Sequence, residues 1–259
     1  MIDSHAHVHD PTFDDDRDAM LERSREAGIS AIISIGTNVD DSRRALEIAE
    51  RFGLHASIGI HPHDAKEAPP DVAAAFDALV AGAAVAPVAV GECGLDYHYD
   101  HSPRDDQRAV LVEQIRYARD RELPLIFHQR EAFDDFLDVI RAEYRAPMRG
   151  PMRGVIHCFT GTADEAERLV GDFDFRLGIG GVLTFKTAEP LREAVRRVGL
   201  APLILETDCP YLAPIPYRGK RNEPAFMPKS AQKLADVLQL PLEEVLETTS
   251  RTARELFRI

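Results

Sequence analysis

Short apolar runs recur along the chain, and each is followed by a stretch whose apolar positions repeat about every 3.6 residues. The runs predict strands at Met1–Val8, Ala31–Gly36, His55–Pro62, Val88–Leu95, Pro124–Arg130, Arg153–Phe159, Phe175–Leu183 and Leu203–Cys209. The amphipathic stretches predict helices at Asp15–Ala27, Asp40–Phe52, Asp71–Ala81, Arg104–Arg121, Ala132–Ala142, Ala163–Val170 and Pro190–Val198. Start signals support several of them, including Asp or Thr before the apolar period and Pro190 near a first turn. Two further helices, Pro228–Leu238 and Pro241–Phe257, close the chain. Strands alternating with helices read as parallel βαβ units. Their number fits a single TIM (β/α)8 barrel with extra C-terminal helices better than an open doubly wound sheet. No low-complexity linker interrupts the pattern, and the alanine-rich Val72–Pro87 reads as a helix and its exit. Residues 1–259 therefore read as one domain.

Composition narrows the class. The chain is 44% hydrophobic and 29% charged, with no apolar run long enough to cross a membrane. No basic segment followed by an apolar stretch stands at the N-terminus, so no secretory signal is expected. The three cysteines, Cys93, Cys158 and Cys209, are too scattered for a disulfide framework, and the expected compartment is the cytoplasm. With 31 basic and 44 acidic residues the net charge is −13. Such a surface repels polyanions at long range, which argues against a non-specific nucleic-acid coat protein. It leaves room for an enzyme that draws a phosphodiester into a local site.

Barrel enzymes carry their chemistry at the C-terminal ends of the strands. In the opening DSHAHVHD, period-two alternation puts Asp3, His5, His7 and His9 on one face. His5 and His7 end the first strand, while His9 falls where the chain leaves it for a loop. His61 and His63 end the third strand, Glu92 lies late in the fourth, and His128 ends the fifth. His157 ends the sixth, and Glu206 and Asp208 end the eighth. Taken singly, each has a bland reading as a hydrogen-bonded core histidine or a helix-capping carboxylate. Together they would be costly to bury near one barrel mouth without a compensating cation. The cysteines each follow a proposed ligand directly, so alternation turns them away from the ligand face and they read as small buried hydrophobes. Alternation also puts Glu206 on the face of Asp208, and Arg130 on that of His128.

Nitrogen and oxygen ligands without thiolate suit zinc, manganese, iron or nickel and tolerate magnesium. Four histidines and two carboxylates exceed the needs of one tetrahedral ion. Two ions roughly 3.5–4 Å apart, bridged by Glu92 and a hydroxide, would use them all. Asp208 is then placed to bind metal and to accept a proton from the nucleophilic water. After the eighth strand, YLAPIPYRGKRNEPAFMP carries Arg218, Lys220 and Arg221 in an otherwise acidic chain. It reads either as a solvated loop or as a proline-stiffened phosphate contact. Arg130 could add a donor.

Seven blocks, in order, make the chain resemble the TatD-family metal-dependent hydrolases, a branch of the amidohydrolase-like barrels. They are DSHAH at 3–7, GIHPH at 59–63, GECGLDY at 91–97, HQREA at 128–132, HCFTG at 157–161, ETDCPYL at 206–212 and RGKRNEP at 218–224. The resemblance implies a distorted barrel whose divalent-metal site cleaves phosphodiesters, typically in DNA. Carried over by position, His5, His7, Glu92 and Asp208 hold one ion, while Glu92, His128 and His157 hold the other. Asp208 and Glu92 carry the catalysis. His61, Arg130 and Arg218 carry over as substrate or phosphate contacts, and Glu206 as a residue behind the ligands that orients one of them or a water. Gln129 stands where the family usually has serine, Tyr217 where histidine is common, and TTSRTARELF replaces an asparagine-containing version.

The expected function is a divalent-metal-dependent deoxyribonuclease acting on DNA ends or single strands through a metal-activated hydroxide. Two ions per subunit (zinc, manganese or magnesium) serve as cofactors. DNA, or RNA, is the expected substrate, with no membrane and no obligate protein partner. The alternative is a metal-dependent barrel hydrolase acting on a carbonyl centre, such as a D-aminoacyl-tRNA ester, an amide or a lactone. A metal-binding protein without catalysis is the most distant reading.

Overall fold

The structure is a computed structural model that describes residues 1–145 and 152–259. The strands are β1 (Ile2–Ala6), β2 (Ala31–Ile35), β3 (His55–Ile58), β4 (Ala89–Asp96), β5 (Leu125–Arg130), β6 (Gly154–Ile156), β7 (Arg176–Ile179) and β8 (Leu203–Leu205). The helices are α1 (Arg17–Glu26), α2 (Val39–Phe52), α3 (Val72–Ala81), α4 (Arg104–Asp120), α5 (Phe133–Arg145), α6 (Ala163–Phe173), α7 (Glu189–Val198), α8 (Met227–Leu238) and α9 (Leu242–Phe257). Every strand and helix expected from the pattern is present, and strand order in the sheet is sequence order. Among the described residues no helix is long and apolar enough to cross a membrane.

The chain forms two compact units. In the first, Met1–Ile33 with His157–Ile259, β7 and β8 pair in parallel with Leu177 opposite Leu203 and Ile179 opposite Leu205. Helix α9 packs on both β1 and β8. The buried Ser4 hydroxyl donates to the Leu205 carbonyl at 2.9 Å. Beyond the strand ends the pairing continues: Asp208 N–H donates to the His5 carbonyl and His7 N–H to the Cys209 carbonyl, each at 2.8 Å. Helix α6 starts at a capping box, where Thr162 and Glu165 each accept the other's backbone N–H.

In the second unit, Ser34–Ile156, β3, β4, β5 and β6 form a parallel ladder. All eight residues of β4 are buried, as expected for a parallel strand covered on both faces. Helix α2 begins at Asn38, whose side chain accepts from Asp41 N–H, and ends at Gly53 in the left-handed region. Two buried glutamines, Gln107 and Gln114, lie about two turns apart on α4 and clamp the chain at the end of β4 and just beyond β3. The Gln114 amide accepts from Ile60 N–H at 2.8 Å and donates to its carbonyl at 2.9 Å. Gln107 does the same for Asp96, at 2.8 and 3.2 Å. These clamps pin the backbone that carries His61, His63 and Asp96.

Several strands stop earlier than the apolar pattern suggests. β3, β6 and β8 end at Ile58, Ile156 and Leu205, so His61, His157, Glu206 and Asp208 lie beyond them rather than in their last positions. Cys158 (φ 45°) and Asp208 (φ 57°) are left-handed, which turns the chain out of the ladder and ends period-two alternation there. Glu92 sits in the middle of β4, not late in it, and the β4–β5 register shifts between Val90 and Cys93. Alternation therefore does not carry across that strand either.

Candidate metal-ligand clusters

The first unit gathers His5, His7, His157 and Asp208. His5 lies in β1, and His7 just past its end. Their Nε2 atoms are 3.7 and 3.5 Å from Asp208 Oδ1. The His157 ring stacks on His5, with centroids 3.9 Å apart and planes 14° apart. One donor atom each from His5, His157 and Asp208 lies within 4.8 Å of the others. Burial pulls the Asp208 carboxyl upward. The His7 hydrogen bond and the charges of His157, His5 and His7 outweigh it, so the group sits below the usual carboxylate range.

Two further carboxylates lie behind these groups. Asp3 accepts from Thr207 N–H at 2.9 Å and from its hydroxyl at 2.6 Å. Burial nevertheless raises its pKa to about 7, against those bonds and with a push from Asp208. Glu206 accepts from Cys158 N–H and occupies space that any side chain at Gly178 would fill. Burial raises Glu206 to about 8, opposed by His157 and reinforced by Asp208. Its Oε2, fully buried, has no hydrogen-bond partner among the described residues. A pocket that holds this many oxygens against histidine nitrogens has the donor chemistry of a divalent-cation site.

The second unit gathers His61, His63, Glu92, Asp96 and His128. His128 Nδ1 is 2.9 Å from Glu92 Oε1, and its Nε2 is 2.9 Å from Asp96 Oδ2. His61 Nε2 is 3.3 Å from Glu92 Oε1, and His63 Nε2 is 3.0 Å from Asp96 Oδ2. Donor atoms of His61, Glu92 and His128 lie within 4.8 Å of one another. β4 and β5 approach closely here because residue 94 is glycine. At φ 152° a Cβ would collide with the His128 carbonyl. Burial pulls Asp96 upward, but hydrogen bonds from His128, Tyr99 N–H and His63 hold it well below the usual range. The burial of His61 lowers its pKa despite Glu92, favouring the neutral ring that a ligand needs.

The TatD-related DNase family model matches residues 2–258, all but the ends of the chain. The chain belongs to the TatD-related DNase family. It is 36% identical over 260 residues to YabD of Bacillus subtilis, a metal-dependent hydrolase, covering 100% of this chain and 99% of YabD. It is 33% identical over 264 residues to TatD of Erwinia amylovora, a 3'-5' ssDNA/RNA exonuclease, covering 99% of each. The crystal structure of YJJV, a TatD homologue from Escherichia coli, matches with a TM-score of 0.91 at 28% identity, covering 100% of this chain and 98% of YJJV. The chain is thus a metal-dependent hydrolase with the α/β barrel fold its strand pattern predicts.

Each residue expected as a ligand lies in one of the two clusters, but His157, expected on the ion of Glu92 and His128, stacks on His5 in the first. His61, expected as a substrate contact, stands among the donors of the second. Asp96 and the pairing of His63 with it are additions. Their signal was in GECGLDY, where Asp96 lies four residues after Glu92. Glu206 Oε1 lies 3.8 Å from His157 Nδ1. Arg130 and Arg218 are exposed; their guanidinium groups lie over Tyr99 at 4.8 Å and over Phe185 at 3.8 Å. Arg221, the third cation expected in the loop after β8, is engaged elsewhere in its unit. It binds Asp16 through two nitrogens at 2.8 and 2.7 Å. Tyr217, the departure from histidine, stacks on Phe226 at 3.9 Å.

Proposed function

We propose that this chain is a divalent-metal-dependent nuclease that hydrolyses phosphodiester bonds of DNA or RNA, at ends or in single strands, with residues 1–259 acting as one domain. The observation that carries the reading is the pair of thiolate-free donor groups, His5–His157–Asp208 and His61–Glu92–His128, in a chain of a DNase-related family. The Erwinia relative is a 3'-5' exonuclease of single-stranded DNA and RNA, which supports nucleic acid as substrate. The three free cysteines agree with a cytoplasmic setting.

In this reading His5, His7, Glu92, His128, His157 and Asp208 hold two divalent ions, with zinc, manganese and magnesium all compatible with nitrogen and oxygen donors. When bound, such ions acidify a water and neutralise charge that builds on the phosphate oxygens. Asp208, kept ionised by its histidines, accepts the proton of the attacking water. Asp96 fixes the orientation of His128 from the far nitrogen. Asp3 holds Thr207 and so the turn that presents Asp208. Arg218 and Arg130 present guanidinium groups to phosphate oxygens.

The test is to strip the protein of metal, restore zinc, manganese or magnesium singly, and digest end-labelled single-stranded DNA and RNA. Metal-restored cleavage into shorter strands is expected. Hydrolysis of an aminoacyl ester or lactone, with no phosphodiester cleaved under any metal, would overturn the reading.

A further inference from the structure

The segment after β4, His98–His101, reads HYDH, and all four residues are exposed. Tyr99 is 51% exposed, unusual for so large a ring. Around it lies a group of π-surfaces. The His101 ring runs parallel to Tyr99 at 9°, with centroids 5.5 Å apart. His63 stands edge-on to both, at 5.5 Å from Tyr99 and 4.6 Å from His101. The Arg130 guanidinium lies 4.8 Å from the Tyr99 centroid, and Arg130 makes no ion pair among the described residues. A half-exposed tyrosine stacked on an exposed histidine gains little from burial, so packing alone is a weak reason for this arrangement. An exposed aromatic face beside an uncommitted arginine is the composition that takes up unpaired nucleobases and their phosphates.

The group is also tied to the second ligand cluster. Asp96 Oδ1 accepts the backbone N–H groups of His98 at 3.0 Å and Tyr99 at 2.9 Å. Its Oδ2 faces His63 and His128. One carboxylate therefore sets both the Tyr99 loop and the His128 ring. We propose that Tyr99, backed by Arg130, is a stacking platform for one unpaired base of the nucleic-acid strand. The inference rests on the nuclease reading and adds the residue that makes it selective for single strands. A base inside a duplex is already stacked and paired, so only an unpaired or terminal base can add to the Tyr99–His101 stack.

The test crosses a protein change with a ligand change. Fluorescence anisotropy measures binding of a short, phosphorothioate-linked single strand to the metal-loaded protein, and of the same strand with single abasic positions. Wild type is expected to lose roughly tenfold or more in affinity at one abasic position, the size of one base stack. Tyr99→Ala should lose a similar factor on the intact strand and then be indifferent to that abasic position. Tyr99→Trp should keep wild-type affinity and its abasic sensitivity. Unchanged binding by Tyr99→Ala, or undiminished abasic sensitivity in it, overturns the platform while nuclease activity persists. If wild type neither binds nor cleaves any strand, the nuclease reading fails and takes the platform with it. Circular dichroism of Tyr99→Ala checks the fold.

Discussion

Asp3 and Glu206, behind the first candidate cluster, and Asp96, in the second, are shifted in opposite directions, although all three are buried. In the first, Asp3 and Glu206 are pushed up to about 7 and about 8. In the second, Asp96 is held well below the ordinary carboxylate value. The number of donors does not explain the contrast, since Asp3 accepts from Thr207 twice and from His5 N–H. What differs is the kind of donor and neighbour. Asp96 faces two imidazoles, whereas Asp3 meets a hydroxyl and amides and feels the charge of Asp208. Neutral donors do not repay complete desolvation of an anion, but groups able to carry positive charge do. Asp96, and Asp208 among the histidines of the first cluster, are compensated, whereas Asp3 and Glu206 are not.

The largest effect should come from removing Asp208, the proposed proton acceptor. Asp208→Ala should lower kcat on a single-stranded oligonucleotide by roughly 10²–10⁴-fold, with an unchanged circular-dichroism spectrum. In the second cluster, Asp96→Asn leaves the ligands in place but removes the group that aligns His128. A drop of about 10–100-fold in metal affinity or activity is expected, read by metal titration beside steady-state rates. An Asp96→Asn protein with unaltered metal affinity would break the view that this carboxylate positions His128.

The contrast also predicts a pH signature in the metal-depleted protein. Asp3 and Glu206 bind protons more tightly when folded than when unfolded, since their pKa values rise from ordinary carboxylate values to about 7 and about 8. The stability they contribute is complete below their unfolded values near 4 and is lost as pH climbs through 7 to 8. Thermal melts should therefore show Tm falling over that window. Asp3→Asn should flatten the fall, and loading with a divalent ion should oppose it. The smallest effects belong to the loop after β8. Arg218→Ala should raise KM a few-fold with kcat held. Arg221→Ala should cost about 1 kcal/mol or less of stability, read by denaturant unfolding, because its partner is Asp16 rather than substrate.

Much of this was legible in the chain itself. The alternation of apolar runs with amphipathic stretches marked each strand and helix because a strand covered on both faces is mostly apolar, and all eight residues of β4 are buried, Glu92 and Asp96 among them. The metal-capable residues stood out because apolar runs ended on them. Less visible was where the ladders stop. Left-handed backbone at Cys158 and Asp208 and the register shift in β4 depend on pairing with other strands, and period-two counting misses both. Asp96 was hidden because its importance lies in four hydrogen bonds from residues spread between His63 and His128. Arg221 misled for the converse reason: charge in a loop does not disclose that Asp16, far away in sequence, already binds it.

Metal content reports whether each of the two clusters holds a divalent ion. Protein purified without chelators, and the Asp208→Ala and His128→Ala variants beside it, would be measured by inductively coupled plasma mass spectrometry after equilibration with excess metal. Two ions per wild-type chain are expected, with one lost in each variant. A single ion in wild type, or wild-type metal content in both variants, would contradict that expectation.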